Sequence, residues 1–498
     1  MSRRTLDQQP EQSRARCGIV PPYLLAALAM CDDPALAARA ARTLQRDTLA
    51  RQLRLSPSAP VRPADRRSTT TTGTRPKGTK PATTVDPADG GEGAKRTVSD
   101  AHNEETLPGD PVRSEGRPAV EDVSVNQAYD GLGATWQLYS QAFARNSLDG
   151  KGLPLLASVH YAHDYDNAYW DGDQMVFGDG DGKIFGRFTG SIDVIGHELT
   201  HGVTDYTAGL RYQGQSGALN ESISDVFGIL VKQKVLGQSA DQADWLIGAD
   251  LLLPGVDGVA LRSMKAPGTA YDDPVLGKDP QPAQMADYLT TSADNGGVHL
   301  NSGIPNKAFY LVAAAIGGNA WESAGRIWYS VLTGGPIKAD CDFVTFAGLC
   351  IDAAGQLFGT DSTEQQATAG GWQQVGVLPP NGTDPAGENP AAHDPPPADD
   401  AQPAPGRSTA HAQLTIRRSG GFAGRTVERT VRLGELPHTE AAQWASLLGG
   451  GLRAMVGGPS RPDAFVYQVE AGRLEVTIAE HDLPPEVRGL LRRTVEGG

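Results

Sequence analysis

The chain has 498 residues, with 60 Gly, 35 Pro, four Cys and a formal net charge of −15. That length can bury sizeable cores in two to four domains. Four cysteines without a CxxC pair exclude a disulfide-built scaffold and a thiolate zinc site, and the acidic balance argues against nucleic acid or an anionic membrane as partner. No apolar run reaches the roughly 18 residues a membrane span needs.

The N-terminus, MSRRTLDQQPEQSRARCGIVPPYLLAALAMC, starts charged. Its apolar stretch from Ile19 to Met30 is broken by Pro21 and Pro22, and Cys31-Asp32-Asp33 is a poor cleavage site, so no cleavable secretory leader is expected. Residues 17–55 read as helical. Asp33-Pro34 pairs an N-cap with a first-turn proline, and Leu36, Ala40, Leu44 and Leu53 recur at roughly helical spacing. Residues 1–67 carry 12 Arg against 6 acidic residues; a head of +6 precedes a remainder of −21, and the two can attract each other. Residues 56–97, rich in Ser, Thr, Pro and Gly, read as a disordered linker. Composition is globular from about Arg96 to Val377, which defines a domain over 98–378. Nine prolines in 379–408 make a second, extended linker. Residues 409–498 regain periodicity: AQLTIRR and RTVERTVRL as strands, HTEAAQWASLL as a helix, FVYQVEAGRLEVTIAE as a hairpin, and LPPEVRGLLRRTV as a closing helix.

The strongest chemical signal is SIDVIGHELTHGVTDY. His197 and His201 stand four apart, so on a helix both imidazoles lie on one face and can reach one ion. Glu198 is placed to polarise a metal-bound water, and Val194, Ile195, Leu199 and Val203 form an apolar side. Downstream, GALNESISD lies on a second helix predicted to be amphipathic, with Ile223, Val226, Phe227 and Leu230 inward. Its Glu221 completes a His₂Glu set that leaves a fourth position for water. Asp225, one turn on, can accept from the far nitrogen of a ligating histidine.

HELTH, GALNESISD and DNGGVHLNSGIPNKA together resemble the thermolysin family of zinc metalloproteases over about residues 120–377. The resemblance implies an α+β catalytic domain of two lobes, β-rich then helical, joined by the HELTH helix. It implies Zn²⁺ as cofactor, protein or peptide substrates, and cleavage before large apolar residues. His299 matches the family's second catalytic histidine, which stabilises an oxyanion opposite the zinc, with Asp294 orienting it and raising its basicity. By the same resemblance Tyr212 is a second oxyanion donor, Arg262 holds a substrate carbonyl, and Asn167 and Ala168 open the edge segment that pairs with the substrate backbone. Phe185, Phe188, Val194 and Leu261 fall where the family lines its S1′ pocket; plain core is the other reading of these four. Asp193 and Asp244 stand at two positions of the family's double-calcium site. Lys232, Leu246 and Ala249 stand where it supplies further acids, so Ca²⁺ is expected to be absent or reduced. His160 and His163 sit in a strand-and-turn pattern and read as structural, and GDGDG at 178–182 as a turn.

Pro21-Pro-Tyr-Leu-Leu25 and the following helix resemble the short prosegment of the protealysin subfamily, which blocks the catalytic domain until removed. SGGFAGRT and the strand order of 409–498 resemble emfourin, an inhibitor of such proteases; a substrate- or surface-binding module is the other reading. The expectation is a monomeric zymogen with both segments as intramolecular partners. The resemblance implies export independent of a secretory leader, with residence in the cytoplasm as the alternative. An inactive binding protein would be free to lose Glu198, which is present, and a hydrolase of small amides would not need the extended cleft.

Overall fold

In the computed structural model, the described residues are 18–55, 93–379, 413–419, 427–432, 444, 447, 465–471, 474–480, 483 and 485–496. They fall into two units, Met1–Asn381 and Gly382–Gly498. The linker core at 56–92 and 380–412, the SGGFAGRT loop beyond Ser419 and Cys17 lie outside the described residues.

The first unit opens with helices α1 (Pro22–Ala29) and α2 (Pro34–Leu55). Asp33 caps α2 through Oδ1, which accepts from Ala35 and Leu36 N–H at 3.0 and 3.3 Å. Strands β1 (Arg96–Asp100), β2 (Asp110–Ser114), β3 (Leu155–Val159), β4 (Ala168–Trp170) and β5 (Met175–Phe177) form one sheet in the order β2-β1-β3-β5-β4. β1 starts two residues inside the stretch predicted as linker. Arg96 and Thr97 already pair in parallel with Leu155 and Leu156, so their backbone groups are committed to the sheet. β4 is an edge strand, antiparallel to β5. Helix α3 (Val123–Phe143), capped by Asp122, packs on the sheet side of α4 (Ile192–Asp205).

α4 and α5 (Gly214–Leu236) form the closest helix pair of the unit. Glycine makes that possible. A Cβ on Gly228 would lie 2.5 Å from the Asp193 carbonyl oxygen, and one on Gly196 would lie 3.1 Å from the Gly228 Cα. α5 differs from the amphipathic helix predicted, because every residue from Ser216 to Gln233 is buried. It is the central helix of a helical lobe completed by α6 (Asp294–Asn301), α7 (Gly303–Ile316), α8 (Ala324–Thr333), α9 (Phe343–Phe358) and α10 (Thr363–Gln374). Cys341 and Cys350 are free, buried thiols.

In the second unit, β6 (Gln413–Ser419), β7 (Val427–Arg432), β8 (Val466–Ala471) and β9 (Leu474–Ala479) form an antiparallel sheet in the order β7-β6-β8-β9. The β8–β9 pairing, Ala471 opposite Leu474, is the expected hairpin. The closing helix spans Pro485–Glu496, and Trp444 is buried with its indole N–H on Thr494 at 2.9 Å. No helix among the described residues is long and apolar enough to cross a membrane.

Candidate metal centre and cleft

The α4–α5 crossing brings His197, His201 and Glu221 together. One ligand atom from each lies within 4.8 Å of the others. The two Nε2 atoms are 3.2 Å apart, and each is 3.5 Å from a Glu221 carboxylate oxygen. Two imidazoles and a carboxylate are donors that zinc takes. The opposite ring nitrogens are pinned. His197 Nδ1 lies 2.8 Å from Asp225 Oδ1, and His201 Nδ1 lies 2.8 Å from Asn220 Oδ1 and 3.2 Å from Ser224 Oγ. This fixes both Nε2 atoms toward the common point. Burial depresses His197 to about 4, keeping it neutral as a ligand must be, despite Asp225. Burial pushes Glu221 up, but His299, His201 and His197 outweigh it and hold the carboxyl down at about 2.

Arg262 pins Asp225 with Nε on Oδ2 at 2.8 Å and Nη2 on Oδ1 at 2.7 Å, and Asn306 donates to Oδ2 at 2.8 Å. All members of this chain are buried, so losing one partner would leave an uncompensated charge, a cost of about 3–5 kcal/mol. Glu198 accepts from the Trp170 N–H at 3.0 Å through Oε2, while its Oε1 is buried with no hydrogen-bond partner. Burial, then the Glu221 charge, raises Glu198 well above the carboxylate range. An orphaned oxygen one residue from His197 is where a water beside the metal would donate.

Opposite, His299 Nδ1 lies 2.7 Å from Asp294 Oδ1, and the His299 N–H donates to Oδ2 at 2.9 Å. Burial opposes the charge of His299, but Asp294 and Glu221 outweigh it and raise its basicity. Asn295, Gly296 and Gly297 all have positive φ, and this left-handed kink turns α6 so that Asp294 reaches the ring. The Tyr212 hydroxyl donates to Glu221 and stands 3.3 Å from His299 Nε2. Phe185, Phe188, Val194 and Leu261 are all fully buried in one apolar cluster that includes Ile19.

The remaining cleft positions meet the chain's own N-terminus. Gly18 forms an antiparallel bridge with Tyr169, Ile19 N–H donates to Ala168 O at 3.1 Å, and Val20 N–H donates to Asn167 Oδ1 at 2.9 Å. Asn167 Nδ2 returns to Val20 O at 3.2 Å, and Arg262 Nη1 donates to Ile19 O at 3.2 Å. Asn220, Ser224, Asn306 and the Trp170 N–H are not among the predicted site residues; Asn220 and Ser224 stand four apart on α5, on one face of the helix that carries Glu221, which is the available signal.

Family models match the two parts of this unit: the thermolysin metallopeptidase catalytic domain at residues 85–205 and its α-helical domain at 208–377. An extracellular metalloprotease of Pectobacterium carotovorum subsp. carotovorum is 56% identical over 284 residues, covering 57% of this chain and 81% of that protein. The chain belongs to the thermolysin family. It is therefore a metalloendopeptidase of a zinc-dependent family acting on protein substrates. Protease PrtS of a Photorhabdus species is 56% identical over 284 residues, 57% of this chain and 76% of that protein. The protealysin precursor of Serratia proteamaculans matches at a TM-score of 0.63 and 50% identity, covering 73% of this chain and all of that one. Residues 416–495 match the emfourin family model.

Proposed function

We propose that this thermolysin-family chain is made latent, with residues 18–55 occupying the groove that substrates use, and that it cleaves before large apolar residues once that segment is gone. The observation that carries this is the seating of Gly18–Val20. The Ile19 carbonyl sits on Arg262 and its N–H on Ala168, and a Cβ at residue 18 would lie 2.4 Å from Asn167 Nδ2. An extended peptide running antiparallel to edge strand β4 is how a substrate backbone binds a sheet edge. This reading makes Ile19, buried in the same core as Phe185, Phe188, Val194 and Leu261, the residue that stands for the one taken by the apolar pocket.

His197, His201 and Glu221 would hold zinc, which supplies Lewis-acid polarisation of water and of the substrate carbonyl. Glu198 takes the water's proton; its raised basicity and unpaired Oε1 suit it to receive one and pass it to the leaving nitrogen. Tyr212 and His299 donate to the oxyanion, with Asp294 holding the His299 ring. Arg262 and Asn167 align the scissile strand. At the former calcium positions Lys232 donates to Asp244 at 2.9 Å and to Leu246 O at 3.2 Å, and its ammonium is 3.8 Å from Asp193. This reading gives the lysine the role of the cation there and leaves calcium unneeded. The emfourin-family unit acts on the same protease as a tethered inhibitor at millimolar effective concentration.

The deciding experiment incubates the purified chain with an unstructured protein, with and without chelator, and maps all products by mass spectrometry. Fresh chain should be latent, and it should gain activity as it is cut within 56–92, more so when residues 382–498 are removed as well. Glu198→Ala should stay whole and bind zinc. Full activity of the uncut wild type removes the latency reading, and cuts without apolar preference on their C-terminal side remove the pocket assignment.

A further inference from the structure

Helix α2 reaches beyond the groove and places one guanidinium in a pocket with three walls. Arg39 Nε donates to both Asp166 oxygens at 2.8 Å, Nη1 to Asp164 Oδ1 at 2.8 Å, and Nη2 to the Gly180 carbonyl at 2.5 Å. Nη2 also lies 2.7 Å from Asp166 Oδ1, so the planar fork meets two carboxylates and a carbonyl at once, a match that distinguishes arginine from a spherical ion. Asp166 is 1% exposed. Burial pushes its carboxyl up to about 6 even with Arg39 opposing, and Asp181 and Asp164 add to the negative field. Vacated, the pocket leaves Asp166 and Asp164 side by side without the cation that Arg39 supplied, a negative site that a new cation neutralises.

The antiparallel register locates this pocket along the substrate path. Gly18 pairs with Tyr169 and the Ile19 N–H donates to Ala168 O, while Val20 meets the Asn167 side chain; a peptide that continued this antiparallel register would bring its next residue, at the position of Pro21, opposite Asp166. The N-terminal segment puts a proline there and fills the pocket from α2 instead. We propose that, in the matured enzyme, Asp166, Asp164 and the Gly180 carbonyl form a subsite for an arginine side chain two residues beyond the residue in the apolar pocket. This rests on the groove reading above. The pocket thus serves twice: Arg39 anchors the segment while it blocks the cleft, and substrates with a basic residue on the C-terminal side of the cut inherit the same contacts.

The test uses the first unit, residues 1–381, matured by an added protease and freed of residues 1–55, so that the emfourin-family unit is absent, with two quenched fluorescent peptides containing Gly-Ile-Val-Arg or Gly-Ile-Val-Ala. The expected kcat/KM favours arginine by about tenfold, about 1.4 kcal/mol, with a lysine peptide in between. Asp166→Asn should bring the Arg/Ala ratio near one. Should that variant fail to fold, the more exposed Asp164→Asn should still narrow the ratio. Equal cleavage of both peptides by wild type overturns the subsite and leaves the groove reading standing. Cleavage of neither by an enzyme that still digests unstructured protein overturns both the register and the subsite.

Discussion

Helices α4 and α5 carry two charged clusters, one turn apart on α4 at Asp193 and His197 and about three turns apart on α5 at Glu221 and Lys232. In one, His197, His201 and Glu221 turn lone pairs toward a shared point, and Arg262 is spent on Asp225. In the other, Asp193 meets Ser191, the Gly248 N–H and the Lys232 ammonium, which also holds Asp244. Burial raises Asp193, and the nearby Lys232 ammonium is the chief influence that opposes it. The first cluster is incomplete without an external cation, whereas the second carries its own. On the proposed reading, one helix pair makes one site metal-dependent and fills its neighbour with a lysine, according to whether a long cationic side chain stands within reach.

The largest effect breaks the first cluster. His201→Ala or Glu221→Ala should lose both zinc, read by elemental analysis, and all measurable peptidase activity. Glu198→Gln should keep zinc and lose roughly 10²–10⁴ in kcat. His299→Ala should lose about 10²–10³ in kcat with a smaller change in KM. Zinc retained stoichiometrically by both ligand variants would remove the difference between the clusters.

A middle-sized effect tests the second cluster. In a Glu198→Ala background, which blocks self-digestion, millimolar calcium should leave the wild-type Tm unchanged. Lys232→Met strands Asp193 and should cost about 3–5 kcal/mol. Lys232→Glu restores an oxygen donor set with Asp193 and Asp244, and calcium should recover part of its loss. A wild-type Tm that climbs with calcium would show that the lysine does not replace the ion.

The two clusters were not equally legible. His197, His201 and Glu198 follow from helical spacing within five residues, and Glu221 needed only a second helix at the right distance. The Arg262–Asp225 pair, the Lys232 contacts and the order β2-β1-β3-β5-β4 depend on approaches between distant segments, which no local periodicity encodes. α5 was read as amphipathic because polar residues punctuate it, yet Asn220, Glu221, Ser222, Ser224 and Asp225 are all buried, most of them committed to the site. Its polarity was functional rather than solvent-facing. The groove-bound Gly18-Ile19-Val20 had a weak signal: β-branched residues ahead of Pro21-Pro22, where the diproline disfavours helix, should be extended.

The smallest effect sharpens the comparison with a cation that can be switched off. His160 Nδ1 lies 2.8 Å from Asp179 and Nε2 lies 2.9 Å from Asp122, the carboxylate that also caps α3. The Asp179 hydrogen bond, then Asp122 against partial burial, raises the imidazole from 6.5 to about 9. The folded value lies above the unfolded one. The stabilisation is therefore complete below about pH 6.5 and is lost as pH rises through about 9. The ring is partly exposed, so screening leaves on the order of 1–2 kcal/mol of the full linkage energy. In the Glu198→Ala background, His160→Gln should lower Tm by a few °C at pH 6 and by much less at pH 10. Equal deficits for His160→Gln at both pH values would mean that the histidine acts by packing and neutral hydrogen bonds, not as the titratable counterpart of Lys232.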